Sequence, residues 1–369
     1  MKRSVQLGDI VSGRLEDLPR LIDNTWQRRT LYAISRCRTA AMGGHIDQCS
    51  SAECQKLHLS YNSCRNRHCP RCQGHLREQW INAREEDLLN VSYFHVVFTL
   101  PDHLNTLAMG HAKEVYDTLF RVAWKVIKVF GADPKMLGAQ TGMISVLHTW
   151  GQNMSLHPHL HCIVPAGGVT KSKKWKGSRS KGKFLFPVKA MSVMFRALMV
   201  AGLRQYFVLG DELSSKLFAK PWVIYCKRPF FGPKQVIEYL GRYSHKIAIS
   251  NRRIISLEGG QVLFSAKDYR KGGRKKVLKL SDEEFIRRFA LHILPKGFTR
   301  IRHFGILSST TKKKFKIIID EQIGMLILAT PKPKSQHRLC PTCKRGLLVT
   351  VAVFDQRGPP KHWLARLSS

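Results

Sequence analysis

Six of the ten cysteines fall between residues 37 and 72, and that crowding limits what the first part of the chain can fold into. They are Cys37, Cys49, Cys54, Cys64, Cys69 and Cys72. The N-terminal Met1-Lys2-Arg3-Ser4 is followed by mixed polar sequence with no apolar export segment. A reducing compartment is therefore expected, and with it zinc thiolates rather than disulfides. Cys69-Pro70-Arg71-Cys72 is a tight knuckle that lets two thiolates reach one tetrahedral zinc. Cys49, Cys54, Cys69 and Cys72 make one four-ligand set, leaving Cys37, His45, Cys64 and His68 for a second. Spacing alone leaves the pairing open. Cys340 and Cys343, with His337 and His362 nearby, make a late half-site, while Cys162 and Cys226 are isolated.

A second constraint lies in Leu156-His157-Pro158-His159-Leu160-His161-Cys162. Histidines alternate with other residues, and a β-strand sends i, i+2 and i+4 to one face. His159 and His161 should point the same way, and His157 joins them unless Pro158 twists it aside. Imidazoles grouped on one strand face can ligate a divalent metal. The blander alternative is the polar face of a half-buried strand. The third ligand stays open among His157, Gln152 and Asn153.

Charge narrows the partner. Lys and Arg number 62 against 25 Asp and Glu, a formal net charge of +37. Nucleic acid is the commonest strongly acidic partner for such a chain, with a ribosome-like or membrane-surface protein as the alternative. No apolar run approaches the ~20 residues of a membrane span, so no membrane partner is expected. Arg65, Arg67 and Arg71 sit among the cysteines, which suits a zinc module placed on phosphates. Residues 171–183 hold seven basic residues with Gly and Ser between them and read as a flexible loop. Lys173 and Lys174 precede Trp175 there, an aromatic able to stack on an unpaired base.

Along the chain, apolar residues from Leu15 to Ile34 have helical spacing. Tyr93 to Leu100 reads as a strand ending at Pro101, Leu104 to Phe130 as one amphipathic helix, and Met143 to Trp150 as a strand. Gly151 and Asn153 then turn the chain into the histidine strand. Met191 to Val208 is a helix, Ile247 to Ser250 and Arg253 to Leu257 are strands, and Gly259-Gly260 closes a hairpin. Phe285 to Leu294 is a further helix. Three divisions follow: residues 1–90 with the zinc module, 91–308 as an α/β (α+β) body, and 309–369 as a basic linker and tail.

Pro233 opens a helix carrying Tyr239 and Tyr243, one turn apart on one face. A metal strand and paired tyrosines suit phosphodiester transesterification, with the metal polarising the phosphate and a tyrosine oxygen attacking it. Free tyrosine has a pKa of ~10, so the nucleophile needs help, which the metal, His245 or Lys246 can give. There is no GxxxxGK[ST] loop, and the phosphotyrosine bond itself stores the energy for rejoining.

These motifs carry a family resemblance. His159-Leu160-His161 is similar to the histidine–hydrophobe–histidine motif of HUH endonucleases, and Tyr239-Leu-Gly-Arg-Tyr243 to the pair of their two-tyrosine branch. The stretch Ser63-Cys64-Arg65-Asn66-Arg67-His68-Cys69-Pro70-Arg71-Cys72 resembles the zinc-binding domain of rolling-circle transposases of the insertion sequence ninety-one family. So do His148-Thr-Trp-Gly-Gln, Tyr243-Ser-His-Lys-Ile-Ala-Ile-Ser-Asn and His292-Ile-Leu-Pro-Lys-Gly-Phe, in the same order over nearly the whole chain.

The resemblance implies a two-layer catalytic domain with a central antiparallel sheet behind an N-terminal zinc module. It implies Mg²⁺ or Mn²⁺ on His159 and His161, Zn²⁺ in the cysteine module, and Tyr239 and Tyr243 as nucleophiles. The substrate would be single-stranded DNA at transposon ends and in target DNA, nicked and rejoined through 5′-phosphotyrosine. Its phosphates would be held by Lys173, Lys174, Arg242, Arg300, Arg302 and the arginines of the zinc module. A cytoplasmic, nucleoid-associated bacterial protein working beside host replication proteins is the matching expectation. A plasmid replication initiator or relaxase shares the chemistry, and a non-catalytic zinc DNA-binding protein is the rival from another class.

Overall fold

The computed structural model describes residues 4–73, 88–178, 185–230, 235–236, 247–268, 272–326 and 338–367. In chain order its strands are β1 (Gly44–Cys49), β2 (Leu57–Tyr61), β3 (Tyr93–Thr99), β4 (Gly142–Trp150), β5 (Leu156–Pro165), β6 (Gly167–Val169) and β7 (Trp175–Gly177). They continue with β8 (Ile224–Phe230), β9 (Ile254–Glu258), β10 (Gln261–Asp268), β11 (Arg274–Ser281), β12 (Ile301–Gly305) and β13 (Leu348–Phe354). Every pairing among them is antiparallel. The mixed α/β class with an antiparallel central sheet is thus what the chain adopts.

The chain forms two compact units, and they are not consecutive stretches. One comprises Met1–Leu76, Ile249–Ile293 and Ala329–Ser369, and the other Arg77–Ala248 and Leu294–Leu328. The linear division at residues 90 and 308 differs from this in three places, the first being that the opening segment of the zinc unit ends at Leu76. Residues 249–293 cluster with the zinc module, and the supposed tail is split between the units. The reason is pairing: β13 lies antiparallel against β1, giving a sheet of order β13-β1-β2.

In the first unit, β9, β10 and β11 form a meander that leads into the helix Asp282–Ala290. Ser281 caps that helix, its Oγ accepting from the Glu284 N–H at 3.2 Å, and three carboxylates in the first turn suit the helix dipole. Arg14 Nε donates to Asp282 at 2.9 Å and Arg20 to Glu283 at 2.8 Å, tying the N-terminal segment to this helix. The carboxylate partners raise the Arg14 guanidinium further above its already high value. Residues 247–250, expected as a strand, run instead as a bend into a short turn at Asn251–Arg253.

The second unit is built on a five-stranded sheet of order β12-β4-β5-β3-β8. Its strands alternate strictly. Phe94, Val96 and Phe98 of β3, Met143 and Leu147 of β4, and Leu160, Cys162 and Val164 of β5 join one large core. The helices Ala112–Ala132 and Val188–Leu203 cover that face. Val115, Leu119, Val122, Val126 and Phe130 recur at helical spacing and are buried. Each such side chain contributes about 1.5–3 kcal/mol on burial. The two helices approach closely at Gly202, where an added Cβ would lie 2.8 Å from Thr118 Cγ2. Pro134 ends the first of them, since the residue before proline disfavours helix, and Asp133 is extended at ψ 120°. The helix expected from Leu104 onward is broken at His111 (φ −132°, ψ 51°), just after Gly110.

The opposite face of the sheet carries two things. Toward one end, Tyr93, Ile144 and Ile163 belong to a smaller core with Val236, Leu307 and Ile319. Ile319 comes from the helix Lys312–Ile323, so this part of the expected linker is folded onto the sheet unit. The basic loop is likewise ordered in part, because Trp175 pairs with Val169 across the β6–β7 hairpin. Gln322 secures it, its Oε1 accepting from the Trp175 N–H at 2.8 Å. Further along the same face lie the histidines.

Candidate metal centres

His148 and His159 face each other across β4 and β5 in register, and His161 follows two residues along β5. A ligand nitrogen from each of the three lies within 4.8 Å of the others. The β4–β5 turn holds this register. Gly151 N–H donates to the Ser155 carbonyl at 2.9 Å, and Asn153 Oδ1 accepts from the Ser155 hydroxyl at 2.8 Å. Asn153 therefore shapes the turn, and the third imidazole of the group is His148 rather than His157. The His157 ring sits 3.8 Å from Asp102 instead and is half-exposed.

The rings are oriented by their outer nitrogens. His159 Nδ1 lies 2.7 Å from the His157 carbonyl, which can only accept, so Nδ1 carries the proton and the lone pair sits on Nε2. His161 Nδ1 is 2.9 Å from Nε2 of His95, a buried histidine on β3 that the motif reading passed over. The signal for it was positional: His95 shares the sheet face of Val97, which pairs with His161. His148 stacks on Trp150 at 4.6 Å, and the Arg300 guanidinium lies 5.4 Å from the Trp150 ring. Three imidazoles at this separation fit a divalent cation.

The cysteines sort into two groups that differ from the expected sets. Cys37, Cys64, Cys69 and Cys72 form one, and Cys49, Cys54, Cys340 and Cys343 the other, each with its sulfurs within 4.8 Å of one another. Cys49 and Cys54 thus leave Cys69 and Cys72 for partners from the far end of the chain. The four-thiolate sets fit tetrahedral zinc. Neighbouring thiols hold Cys37 down at about 7, with Cys64 as the main cause. The backbone N–H groups of Arg345 and Gly346 lower the Cys343 thiol to about 6. His45 and His68 join neither group. His45 lies 3.4 Å from Asp47, and His68 Nδ1 is 3.2 Å from Asn66 Oδ1. Burial pushes the isolated thiols up, Cys226 to about 11 and Cys162 further, as befits core residues.

The basic residues divide as well. Arg71 donates to Gln6 and to the Cys37 carbonyl, and Arg302 pairs with Asp117 while stacking on Phe120. Both are spent inside the fold. Burial lowers the Arg67 guanidinium below its ordinary value. Arg65, Lys173 and Lys174 are exposed. Tyr239, Arg242, Tyr243, His245, Lys246 and His337 lie outside the described residues. Among the described residues no helix is long and apolar enough to cross a membrane.

Comparison with known proteins agrees with the layout. Residues 142–314 match a family described as "Putative transposase", and residues 16–100 match the "Transposase zinc-binding domain". The "Putative transposase y4qJ" of Sinorhizobium fredii is 41% identical over 373 residues, covering 92% of this chain and 93% of that one. The "Transposase for insertion sequence element IS801" of Pseudomonas savastanoi pv. phaseolicola is 28% identical, covering 87% of this chain and 79% of its own. No solved structure matches. With a zinc-binding-domain match over the first cysteines and likeness to these proteins over most of its length, the chain belongs to the IS91 family of insertion-sequence transposases.

Proposed function

We propose that this transposase nicks and rejoins single-stranded DNA at the ends of its element by tyrosine attack, with metal assistance. The observation that carries the reading is the convergence of His148, His159 and His161 on one sheet face. A divalent ion, Mg²⁺ or Mn²⁺, would supply charge neutralisation and polarise the scissile phosphate. The chain's own part is to orient the three imidazoles through His95, the His157 carbonyl and the hydrogen-bonded β4–β5 turn.

The nucleophile is Tyr239 or Tyr243. Its oxygen attacks phosphorus and gives up its proton to a nearby base, for which His245 and Lys246 are the candidates. The P–O3′ bond breaks, and the 3′ oxygen leaves as a hydroxyl after taking up a proton. The product is a 5′-phosphotyrosine, and attack by a 3′-hydroxyl reverses the step and joins strands. Two tyrosines would allow one end to be held while another is cut. Val236, three residues before Tyr239, is buried in the cluster that contains Ile163, two residues from His161. Exposed Arg65, Lys173 and Lys174 would serve the phosphate backbone, with Arg300 beside the Trp150–His148 stack.

The test is a covalent-adduct assay with labelled single-stranded element ends and Mn²⁺. A metal-dependent protein–DNA adduct that disappears in Tyr239→Phe/Tyr243→Phe and in His159→Ala is expected. An adduct that survives the double tyrosine substitution would overturn the assignment of the nucleophiles. Retained DNA binding with no adduct on any end would instead favour a non-catalytic zinc DNA-binding protein.

A further inference from the structure

The second cysteine group joins parts of the chain that lie far apart in sequence. Cys54 and Cys340 are 286 positions apart, yet their sulfurs are separated by 3.9 Å, and those of Cys49 and Cys343 by 3.6 Å. A disulfide would need ~2.05 Å. Thiolates ~2.3 Å from a tetrahedral zinc lie ~3.8 Å from one another, because a tetrahedron's edge is about 1.63 times its arm. The first group obeys the same rule, with Cys37–Cys72 and Cys64–Cys72 both at 3.7 Å.

The backbone is built for the same purpose on both sides. Gln55 follows Cys54 with φ +43°, and Lys344 follows Cys343 with φ +57°, left-handed positions that wrap the chain around its sulfurs. Arg38 and Arg65 do likewise after Cys37 and Cys64 in the first group. Gly346 N–H donates to Cys343 Sγ at 3.3 Å, and Cys340 N–H to the Gly346 carbonyl at 2.8 Å. A Cβ at Gly346 would stand 2.3 Å from Cys49 Sγ, so the late knuckle is pressed directly onto the early one. His58 Nε2 is 3.3 Å from Cys340 Sγ, a contact that would suit an Nε2–H donor to a zinc-bound thiolate. The match to the zinc-binding domain ends at residue 100 and does not include Cys340 or Cys343.

We propose that Cys49, Cys54, Cys340 and Cys343 form a second zinc site, separate from Cys37, Cys64, Cys69 and Cys72, and that this zinc clasps residues 338–354 into the N-terminal unit. Neither knuckle has more than two thiolates, so neither is a site alone. The clasp works with β1–β13 pairing and with Asp47, a buried carboxylate that receives Arg338 at 2.6 Å and the Thr350 hydroxyl at 2.7 Å. This inference stands apart from the strand-transfer chemistry.

The experiment is peptide-resolved thiol alkylation of the full-length, zinc-loaded protein, run beside zinc quantification. In the wild type all eight clustered cysteines are expected to resist alkylation until a strong chelator is added. In Cys340→Ser/Cys343→Ser, Cys49 and Cys54 should become reactive and bound zinc should fall by one per chain, while Cys37, Cys64, Cys69 and Cys72 stay protected. Because the wild type is itself informative, the test survives a variant that fails to fold. Rapid alkylation of Cys340 and Cys343 in the zinc-loaded wild type would overturn the proposal. So would unchanged zinc content in the variant, or recovery of these cysteines as disulfides.

Discussion

Nε2 of His95 lies 2.9 Å from Nδ1 of His161, with both rings buried. A ligand histidine whose outer nitrogen is engaged keeps its tautomer and orientation. His95→Leu is expected to weaken Mn²⁺ binding about 10- to 100-fold. His95→Gln, whose side-chain oxygen can accept from the His161 Nδ1–H, should recover most of that loss. Titration of free Mn²⁺ by electron paramagnetic resonance reads both. Equal losses in the two variants would mean that His95 only fills space.

The same geometry separates His148 from His157. His148→Ala should abolish detectable Mn²⁺ binding and adduct formation, because it removes one of three converging nitrogens. His157→Ala should leave adduct yield within about threefold of wild type, since its ring is directed toward Asp102 and its backbone carbonyl persists. A reversal of that order would put His157 in the metal shell.

Gly346→Ala tests the clasp without touching a ligand. The added methyl would sit 2.3 Å from Cys49 Sγ and 2.9 Å from the Ser51 nitrogen, so the two knuckles must part. One zinc per chain should be lost on mild chelation, at a chelator concentration that leaves the wild type intact. Lys344→Gly relieves a left-handed backbone position and should retain both.

Phe120 anchors the helix Ala112–Ala132 in the main core and carries Arg302 on its ring at 4.2 Å. Phe120→Ala should cost about 3–5 kcal/mol in the unfolding transition of the sheet unit, read by urea titration. The zinc unit's transition should not move, as Phe120 belongs to the other compact unit.

What could be read in advance follows from how local each signal is. Alternation within one strand fixes which residues share a face, so His159 and His161 could be paired from β5 alone. His148 could not, because its role depends on the β4–β5 register, which the turn sets. Cys69-Pro70-Arg71-Cys72 is legible as a knuckle, yet spacing leaves its partners open, and the fold brings it Cys37 and Cys64. Nothing in the spacing of Cys49 and Cys54 announces thiolates from residues 340 and 343. The helix at Leu104 to Phe130 looked continuous, since a hydrophobic stripe passes over a one-residue break at His111 unmarked. Arg71 and Arg302 show the limit of charge counting: composition favours a nucleic-acid partner but does not say which cations are already spoken for.

The pairing of β1 with β13 sets a timetable for biosynthesis. Cys49 and Cys54 leave the ribosome early, but their partner thiolates are made last, after the whole sheet unit. At ~5–20 residues per second the early knuckle waits ~15–60 s with half a ligand set, its β1 edge unpaired. A message cut short anywhere before codon 340 would yield a sheet unit attached to an unfinished zinc unit, so only a chain read through β13 completes both.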